Sequence, residues 1–581
     1  MQGPLCSVAS ATSPTCSKDS FFRFLQRSQN THFFQIHSNH PFLKACPKPK
    51  SVSLKAYSST DVIYVKQASL LKEAKHLSNK LIRENPMESL HMIDIIQRLG
   101  IEHHFEQEIQ LVLQKQQLIL SNHPCDFDFF SSHDQLYEVA LAFRLLRQGG
   151  YYVNADLFDI LKNEKRKFKE IYGEDVKVLS ALYEASQLGV QEDSVDDVGY
   201  LSLQLLHAWL RRHEEHPQAI HVTKTLHSPL HHGFSRFRDA NIFPIQFNTN
   251  NEWIGCLEEL AEINSCVVSL MNQKEITEVY KWWKTLEMAK EEKFRSYQPL
   301  KWYMWPMACL TNPCLSQQRI QLTKFISLIY IVDDIFDAYG TLDQLTLFTD
   351  AIIRWELGGT EQLPGFMKMC LSVLYDTTND FAEEVYKKHG LNPIDTLKRS
   401  WVRLLNAFME EAHWLKGGDL PRSEEYLNNG IVSSGVHVLL LYAFFLLDQS
   451  INMESVAVMD NFPQIIYSVA KILRLSDDLE GAKKKDEKGV DGSYLDCYMN
   501  EHQHVSAEDA QNHVSHLIQS EWKRLNQQIL TQNQLSSSFA NICLNGARMV
   551  PLMYHTTNNP YLSIMQEHVM TLLHTAGAET V

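Results

Sequence analysis

A chain of 581 residues is too long to bury its apolar surface in one core, so two or more domains are expected. A net charge of −15, with no basic stripe or nucleic-acid motif, argues against a nucleic-acid partner, and no unbroken apolar run reaches the roughly 18 residues of a membrane span. The 11 cysteines are scattered without a CxxC pair, which argues against a zinc site or a disulfide framework and for reduced thiols.

Residues 1–57 differ from the rest of the chain. They carry Lys18, Arg23, Arg27, Lys44, Lys48, Lys50 and Lys55 against one acid, Asp19, a net +6 that leaves −21 on the remainder. A basic, Ser-rich, acid-poor leader resembles an organellar transit peptide, with a disordered N-terminus as the other reading. After Asp61 nearly everything reads as helix, with apolar residues three and four apart in Leu70–Leu77 and Leu90–Ile96. Loops are short and polar, and no 34- or 40-residue repeat appears. The fold class predicted is all-α in two helical domains, residues 58–250 and 251–581, with the boundary between about 245 and 270. Near the end of the first unit, His227, His231 and His232 fall within six residues, but Pro229 interrupts the helix and no carboxylate or Cys completes a ligand set, so a metal site is not expected there.

The second unit carries the candidate chemistry. The apolar run Phe325–Val332 predicts a buried helix, and it ends in Asp333, Asp334 and Asp337. Three carboxylates at the end of a buried helix need a positive partner, and Ala338, Tyr339 and Gly340 supply none. Asp333 and Asp337 are four apart and share a helix face, with Asp334 about a quarter turn away. Hard oxygen ligands with open coordination positions suit Mg²⁺ holding a phosphate-bearing substrate. A second apolar helix, Ile465–Leu473, runs into Arg474, Asp477, Asp478 and Glu480. Two acidic helix ends suggest two walls of one mouth, with Arg474 able to grip a diphosphate bidentately. Trp282, Trp283, Trp302, Tyr303 and Trp305 suit an apolar cavity in which ring faces stabilise a carbocation, although aromatics at helical spacing are also ordinary core.

These pieces resemble a plant class I terpene synthase over almost the whole chain. The segment Asp333–Phe348 is similar to that family's aspartate-rich motif, Arg474–Leu479 and Asp491–Tyr494 to its second metal segment, Trp401–Trp414 to a family helix, and Ser433-Ser434-Gly435 to its helix break over the active site. The resemblance implies a C-terminal bundle of the class I terpenoid synthase type behind an N-terminal α-barrel-like helical domain, acting as a monomer. It implies Mg²⁺, or Mn²⁺, bound by Asp333, Asp334, Asp337 and Asp477, and a prenyl diphosphate contacted by Asp333, Asp337, Arg474 and Asp477. The segment Gln298–Trp305 resembles the clade making acyclic alcohols, and the tandem-Arg-then-Trp motif of many cyclising relatives is absent. Water capture of an allylic cation would then give linalool from geranyl diphosphate or nerolidol from farnesyl diphosphate. The leader favours the plastid, with the cytoplasm as the alternative.

The chain also departs from that family. The second metal segment has ligands at i, i+4 and i+8, which fall on Asp477, Gly481 and Lys485; a water would have to replace a hydroxyl at Gly481, and Lys485 stands where a Glu is usual. Asp478 with Asp486, or Glu487, are the candidate substitutes. The family's Arg-x-Arg falls on Ser296-Tyr297-Gln298, leaving Arg295, one residue away, as a candidate substrate contact. Alternatives are a catalytically silent relative, motivated by Lys485, a synthase with a different mono- or sesquiterpene product, and a prenyl-chain elongase, which would want a second intact DDxxD.

Overall fold

The computed structural model describes residues 60–122, 133–234, 252–294, 299–418, 420–447, 451–483, 492–531 and 535–554. The expected leader, Arg295, Lys485, Asp486 and Glu487 lie outside the described residues. Among the described residues every regular element is helical and there is no strand, as the apolar periodicity predicts.

The first unit contains α1 (Thr60–Glu84), α2 (Pro86–Arg98), α3 (Glu106–Asn122), α4 (His133–Gln148), α5 (Asp159–Asn163), α6 (Lys165–Tyr172), α7 (Val176–Ser186), α8 (Val195–Arg212) and α9 (Ala219–His227). Local chemistry sets several ends. Asn85 caps α2 by accepting from the Glu88 amide, with proline at the first helical position, and Asp175 caps α7 through the Val178 amide. The buried Arg147 guanidinium donates to the carbonyls of Val153 and Leu188 and pairs with Asp193, so its charge is compensated inside the core.

α10 (Glu252–Thr285) is shared. Trp253 to Val267 lie in the first apolar core, and Ile276, Val279 and Trp283 in the second. The division expected at 250–251 falls just ahead of this common helix. The second core adds α11 (Pro299–Cys309), α12 (Ser316–Asp334), α13 (Leu342–Arg354), α14 (Gly365–His389), α15 (Ile394–Gly417), α16 (Ser423–Ser433), α17 (Val436–Leu447), α18 (Met453–Asp460), α19 (Gln464–Lys483), α20 (Tyr494–Glu501), α21 (Ala507–Leu530) and α22 (Ser537–Tyr554). The base of α12 is fixed to α10: Arg319 donates to both oxygens of the buried Glu275 at 2.8 and 2.6 Å, and the Tyr303 hydroxyl donates to the same carboxylate at 2.6 Å. This ion pair is bidentate and further hydrogen-bonded, the condition under which a buried pair is tolerated.

α16 and α17 meet at a break where Gly435 adopts φ 71°, a left-handed conformation that glycine enters without a Cβ penalty. Together Ser423–Leu447 are long and apolar enough to cross a membrane by length and composition, although no single unbroken apolar run is that long. In the structure 83% of the apolar window is buried, and the pair forms the centre of the second core.

Of the histidines set aside in the sequence, His231 and His232 serve the seam between the two units, while His227 is exposed and faces the Thr223 carbonyl of its own helix at 2.8 Å. The Asn526 amide nitrogen donates to the Gln187 and Gly189 carbonyls, both at 3.0 Å. Its oxygen is therefore the acceptor facing His231 Nε2 at 2.7 Å, which assigns the proton to that nitrogen. Arg548 Nε donates to the His231 carbonyl at 2.7 Å, His232 lies against Trp522, and Lys523 pairs with Asp196. α21 continues the connection into the second core, where its buried Glu521 accepts from Ser468 of α19 at 2.7 Å and pairs with Lys471 at 3.2 Å.

Candidate active site

The apolar residues Leu328, Ile329, Ile331 and Val332 sink the end of α12 into the core, carrying Asp333 and Asp334 with it at 3% and 4% exposure. The helix does not continue as a plain α-helix through Asp337. Ile335–Tyr339 form a π turn closed by Gly340 N donating to the Ile335 carbonyl at 2.8 Å. Asp337 is half-buried in that turn, so the i, i+4 face expected from the sequence is replaced by a wider local winding. Gly340 is a close-approach position: a Cβ there would stand 2.4 Å from Leu345 Cδ2 and 2.9 Å from Met367 Cε. Thr341 then starts α13 with a capping box closed by Gln344. Burial, and then the Asp334 charge, push the Tyr339 phenol upward, which places that ring within the field of the acidic group.

α19 builds the second wall. Arg474, Asp477, Asp478 and Glu480 are all buried. The Arg474 guanidinium donates from Nε to the Gly430 carbonyl at 3.3 Å and from Nη2 to Ser433 Oγ at 3.1 Å, and Nη1 pairs with Asp477 Oδ2 at 3.9 Å. Gly430 makes this seat possible, because a Cβ there would lie 2.9 to 3.1 Å from Arg474 Nε, Cδ and Cγ. Ser433 Oγ also donates to Glu411 of α15 at 2.8 Å. Burial opposes the Arg474 cation, but Tyr426, Asp478, Glu411 and Asp477 outweigh it and lift its pKa above the ordinary value. The guanidinium is thus built into the wall by its own neighbours, whereas the sequence suggested only a diphosphate grip.

Asp478 has a different setting from Asp477. Its Oδ1 accepts from the Tyr426 hydroxyl at 3.0 Å and its Oδ2 from the Tyr494 amide at 3.1 Å. It ties α19 to α16 and to the start of α20, a bracing arrangement not visible in its neighbouring sequence. α20 is also held by Glu501, which accepts from the Ser423 amide and hydroxyl at 3.1 and 2.5 Å. One turn beyond Asp477, a Cβ at Gly481 would meet nothing within 4 Å, leaving room for a water where a hydroxyl would otherwise stand.

α15 links the two walls. Phe336 packs on Phe408 with ring centroids 5.3 Å apart, and Glu411, one turn later, reaches the Ser433–Arg474 pair. Among the described residues no three His, Cys, Asp or Glu side chains gather closely enough to hold one ion by themselves. That arrangement still fits Mg²⁺, which keeps waters and takes one or two carboxylates plus substrate phosphates instead of an all-protein cage. Of the aromatics expected around a cavity, Trp302, Tyr303 and Trp305 are buried, but Tyr303 is occupied by Glu275 and Asn272, and Trp302 stands edge-on to Trp283. Sequence reasoning did not single out Gly430, Glu411 or Tyr426, since each matters through a partner on another helix.

Comparison with known proteins agrees with this architecture. Residues 284–524 match the terpene synthase family metal binding domain and residues 38–226 the terpene synthase N-terminal domain. A neryl diphosphate diphosphatase from Glycine max, named chloroplastic, is 69% identical over 523 residues, covering 89% of this chain and 97% of that protein. An (E)-nerolidol synthase from Cannabis sativa is 42% identical, covering 84% and 88%. Isoprene synthase from grey poplar leaves, solved with three Mg²⁺ ions and dimethylallyl-S-thiolodiphosphate, superposes with a TM-score of 0.80 at 28% identity, covering 88% and 97%. The two-core helical fold shared with that structure is the class I terpenoid synthase fold with its N-terminal helical domain. The chain belongs to the plant terpene synthase family and is an enzyme acting on prenyl diphosphates.

Proposed function

We propose that this enzyme ionises a ten-carbon prenyl diphosphate in the plastid and releases an acyclic alcohol after water captures the allylic cation. The observation that carries this reading is the pair of carboxylate-bearing helix ends, α12 and α19, joined through Phe408 and Glu411 of α15. Mg²⁺ held by Asp333, Asp334 and Asp337 on one side, and by Asp477 with a water at the open Gly481 position on the other, would supply positive charge to the departing diphosphate. Arg474 adds a guanidinium held by the Gly430 carbonyl and Ser433 Oγ, and a donor fixed by the protein needs little reorganisation as charge develops. Asp478, Tyr426 and Tyr494 hold α19 in register for that task. The apolar walls exclude bulk water, which prolongs the cation until a positioned water reaches it. Arg295, if it contacts the diphosphate, and Lys485, at a ligand position of the family, would modulate the same mouth.

Two sites on the cation accept water. Capture at the tertiary carbon gives linalool from geranyl diphosphate, or nerolidol from farnesyl diphosphate, and the nerolidol synthase relative supports it. Capture at the primary carbon of neryl diphosphate breaks its C–O bond and gives nerol and inorganic diphosphate, a net hydrolysis. The 69% identical relative supports this second course more strongly, and its chloroplastic name accords with the basic leader. The test is incubation of the full chain with Mg²⁺ and neryl, geranyl or farnesyl diphosphate, with volatiles and released diphosphate both measured. Nerol from neryl diphosphate is the expected main product; cyclic products from all three, or no diphosphate release, would overturn the proposal.

A further inference from the structure

The π turn bearing Asp337 is gripped from outside the acidic site. Lys293 lies in the short helical stretch before α11, and its Nζ stands 3.8 Å from the Phe366 ring centroid and 4.8 Å from that of Tyr339. Tyr339 is the last residue of the π turn, two after Asp337, and Phe366 opens α14. The Tyr339 hydroxyl donates to the Lys293 carbonyl at 3.4 Å, so the side chain and the backbone of one residue hold the same ring. Phe294, fully buried, closes the box edge-on to Tyr339 and Phe366 at 6.2 and 6.3 Å. A π turn is a rare winding that commonly marks functional sites, and its register here depends on contacts beyond its own backbone. We propose that Lys293 is a positioning residue for the first acidic wall: its ammonium, caged by Tyr339 and Phe366, fixes the π turn and thereby the aim of the Asp337 carboxylate toward a divalent cation bound with diphosphate. This rests on the reading of Asp333 and Asp337 as cation-holding groups.

The sign of the effect separates this role from a plain electrostatic one. A lysine acting only as a positive charge near carboxylates repels a cation, and its removal tightens cation binding. A lysine acting as a clamp does the opposite, since loosening the turn misplaces an oxygen ligand. The experiment measures Mn²⁺ binding to the full chain with inorganic diphosphate present, following free Mn²⁺ by electron paramagnetic resonance, and compares Lys293→Met, Lys293→Arg, Phe366→Leu and Asp337→Asn. Lys293→Met keeps the aliphatic packing and is expected to weaken Mn²⁺ binding roughly threefold to tenfold, while Lys293→Arg, still a cation over two rings, stays within about twofold of wild type. Phe366→Leu removes a caging face with the cation intact and is expected to weaken binding in the same direction; it decides the matter should Lys293→Met not fold. Unchanged or tighter binding in folded Lys293→Met and Phe366→Leu overturns the clamp. Wild-type binding by Asp337→Asn overturns the underlying reading of the acidic wall and the clamp with it; weakened binding there with no effect in Lys293→Met and Phe366→Leu overturns the clamp alone.

Discussion

The Tyr426 hydroxyl donates to Asp478 Oδ1 at 3.0 Å, joining α16, which ends at the Gly435 break, to the helix that carries the second acidic patch. With the Tyr494 amide on its other oxygen, Asp478 is a brace, while its neighbour Asp477 faces the Arg474 cation. Adjacent aspartates therefore have separable roles. Tyr426→Phe leaves a buried carboxylate short of one donor and is expected to destabilise by roughly 1–3 kcal/mol. Asp477→Asn is expected to leave the unfolding midpoint nearly unchanged and to raise the Mg²⁺ concentration needed for half-maximal turnover. Denaturation curves paired with Mg²⁺ titrations check both; a stable Tyr426→Phe variant with wild-type unfolding would contradict the brace.

Gly430 provides a steric test of the Arg474 seat. Gly430→Ala places a methyl 2.9 Å from Arg474 Nε and must push the guanidinium off the Gly430 carbonyl. Turnover is expected to fall roughly tenfold or more, in line with losing a fixed donor at a developing charge. Gly417→Ala, where a Cβ meets nothing within 4 Å, is the matched control and is expected to be active and no less stable. Steady-state diphosphate release measured on both variants separates displacement from a general effect of alanine.

Much of this site is legible in the sequence, and the illegible part has one physical cause. Asp333 and Asp334 stand out because an apolar run ends in carboxylates with no basic residue next to them in the sequence, and Arg474 and Asp477 because the pattern occurs twice. The π turn is not legible: Ile335–Tyr339 is ordinary helical sequence, and its winding involves Gly340 pressed on Leu345 and Met367 and Tyr339 held by Lys293. The bracing role of Asp478 is hidden for the same reason, since Tyr426 lies 52 residues away. The fold class follows from periodicity, but the common helix α10 does not, because an amphipathic stripe does not say which of two cores it will enter.

Three histidines, two at the domain seam and one inside the second core, predict acid sensitivity. Burial, with Arg548 close by, holds His231 well below the ordinary imidazole value and His232 down to about 3, and burial with Arg403 nearby holds His437 down to about 4. All three are neutral when folded, so their full contribution is present above the unfolded pKa near 6.5. As pH falls from about 6.5 toward 4, the unfolded chain takes up protons that the folded chain refuses, and stability declines. Urea midpoints recorded across that range should drop steadily toward acid. His231→Gln, which retains a donor toward Asn526, should flatten the slope; an unaltered slope would place the acid lability elsewhere.

Asn526 predicts a coupling between the units. Asn526→Leu removes two donors to the Gln187 and Gly189 carbonyls and the acceptor for His231. A loss of roughly 2–5 kcal/mol is expected from the orphaned buried groups. Limited proteolysis should cut the variant faster within residues 213–234, and an unchanged cleavage rate would show that the seam is held by other contacts.

On the proposed reading, carboxylates at the end of α12 hold the metal that draws diphosphate from an isoprenoid. The most direct measurement is diphosphate release by the folded Asp333→Ala/Asp337→Ala double variant with Mg²⁺ and neryl diphosphate. A fall of at least roughly a hundredfold, with helical content and unfolding midpoint near wild type, is the predicted result. Release at the wild-type rate would contradict it.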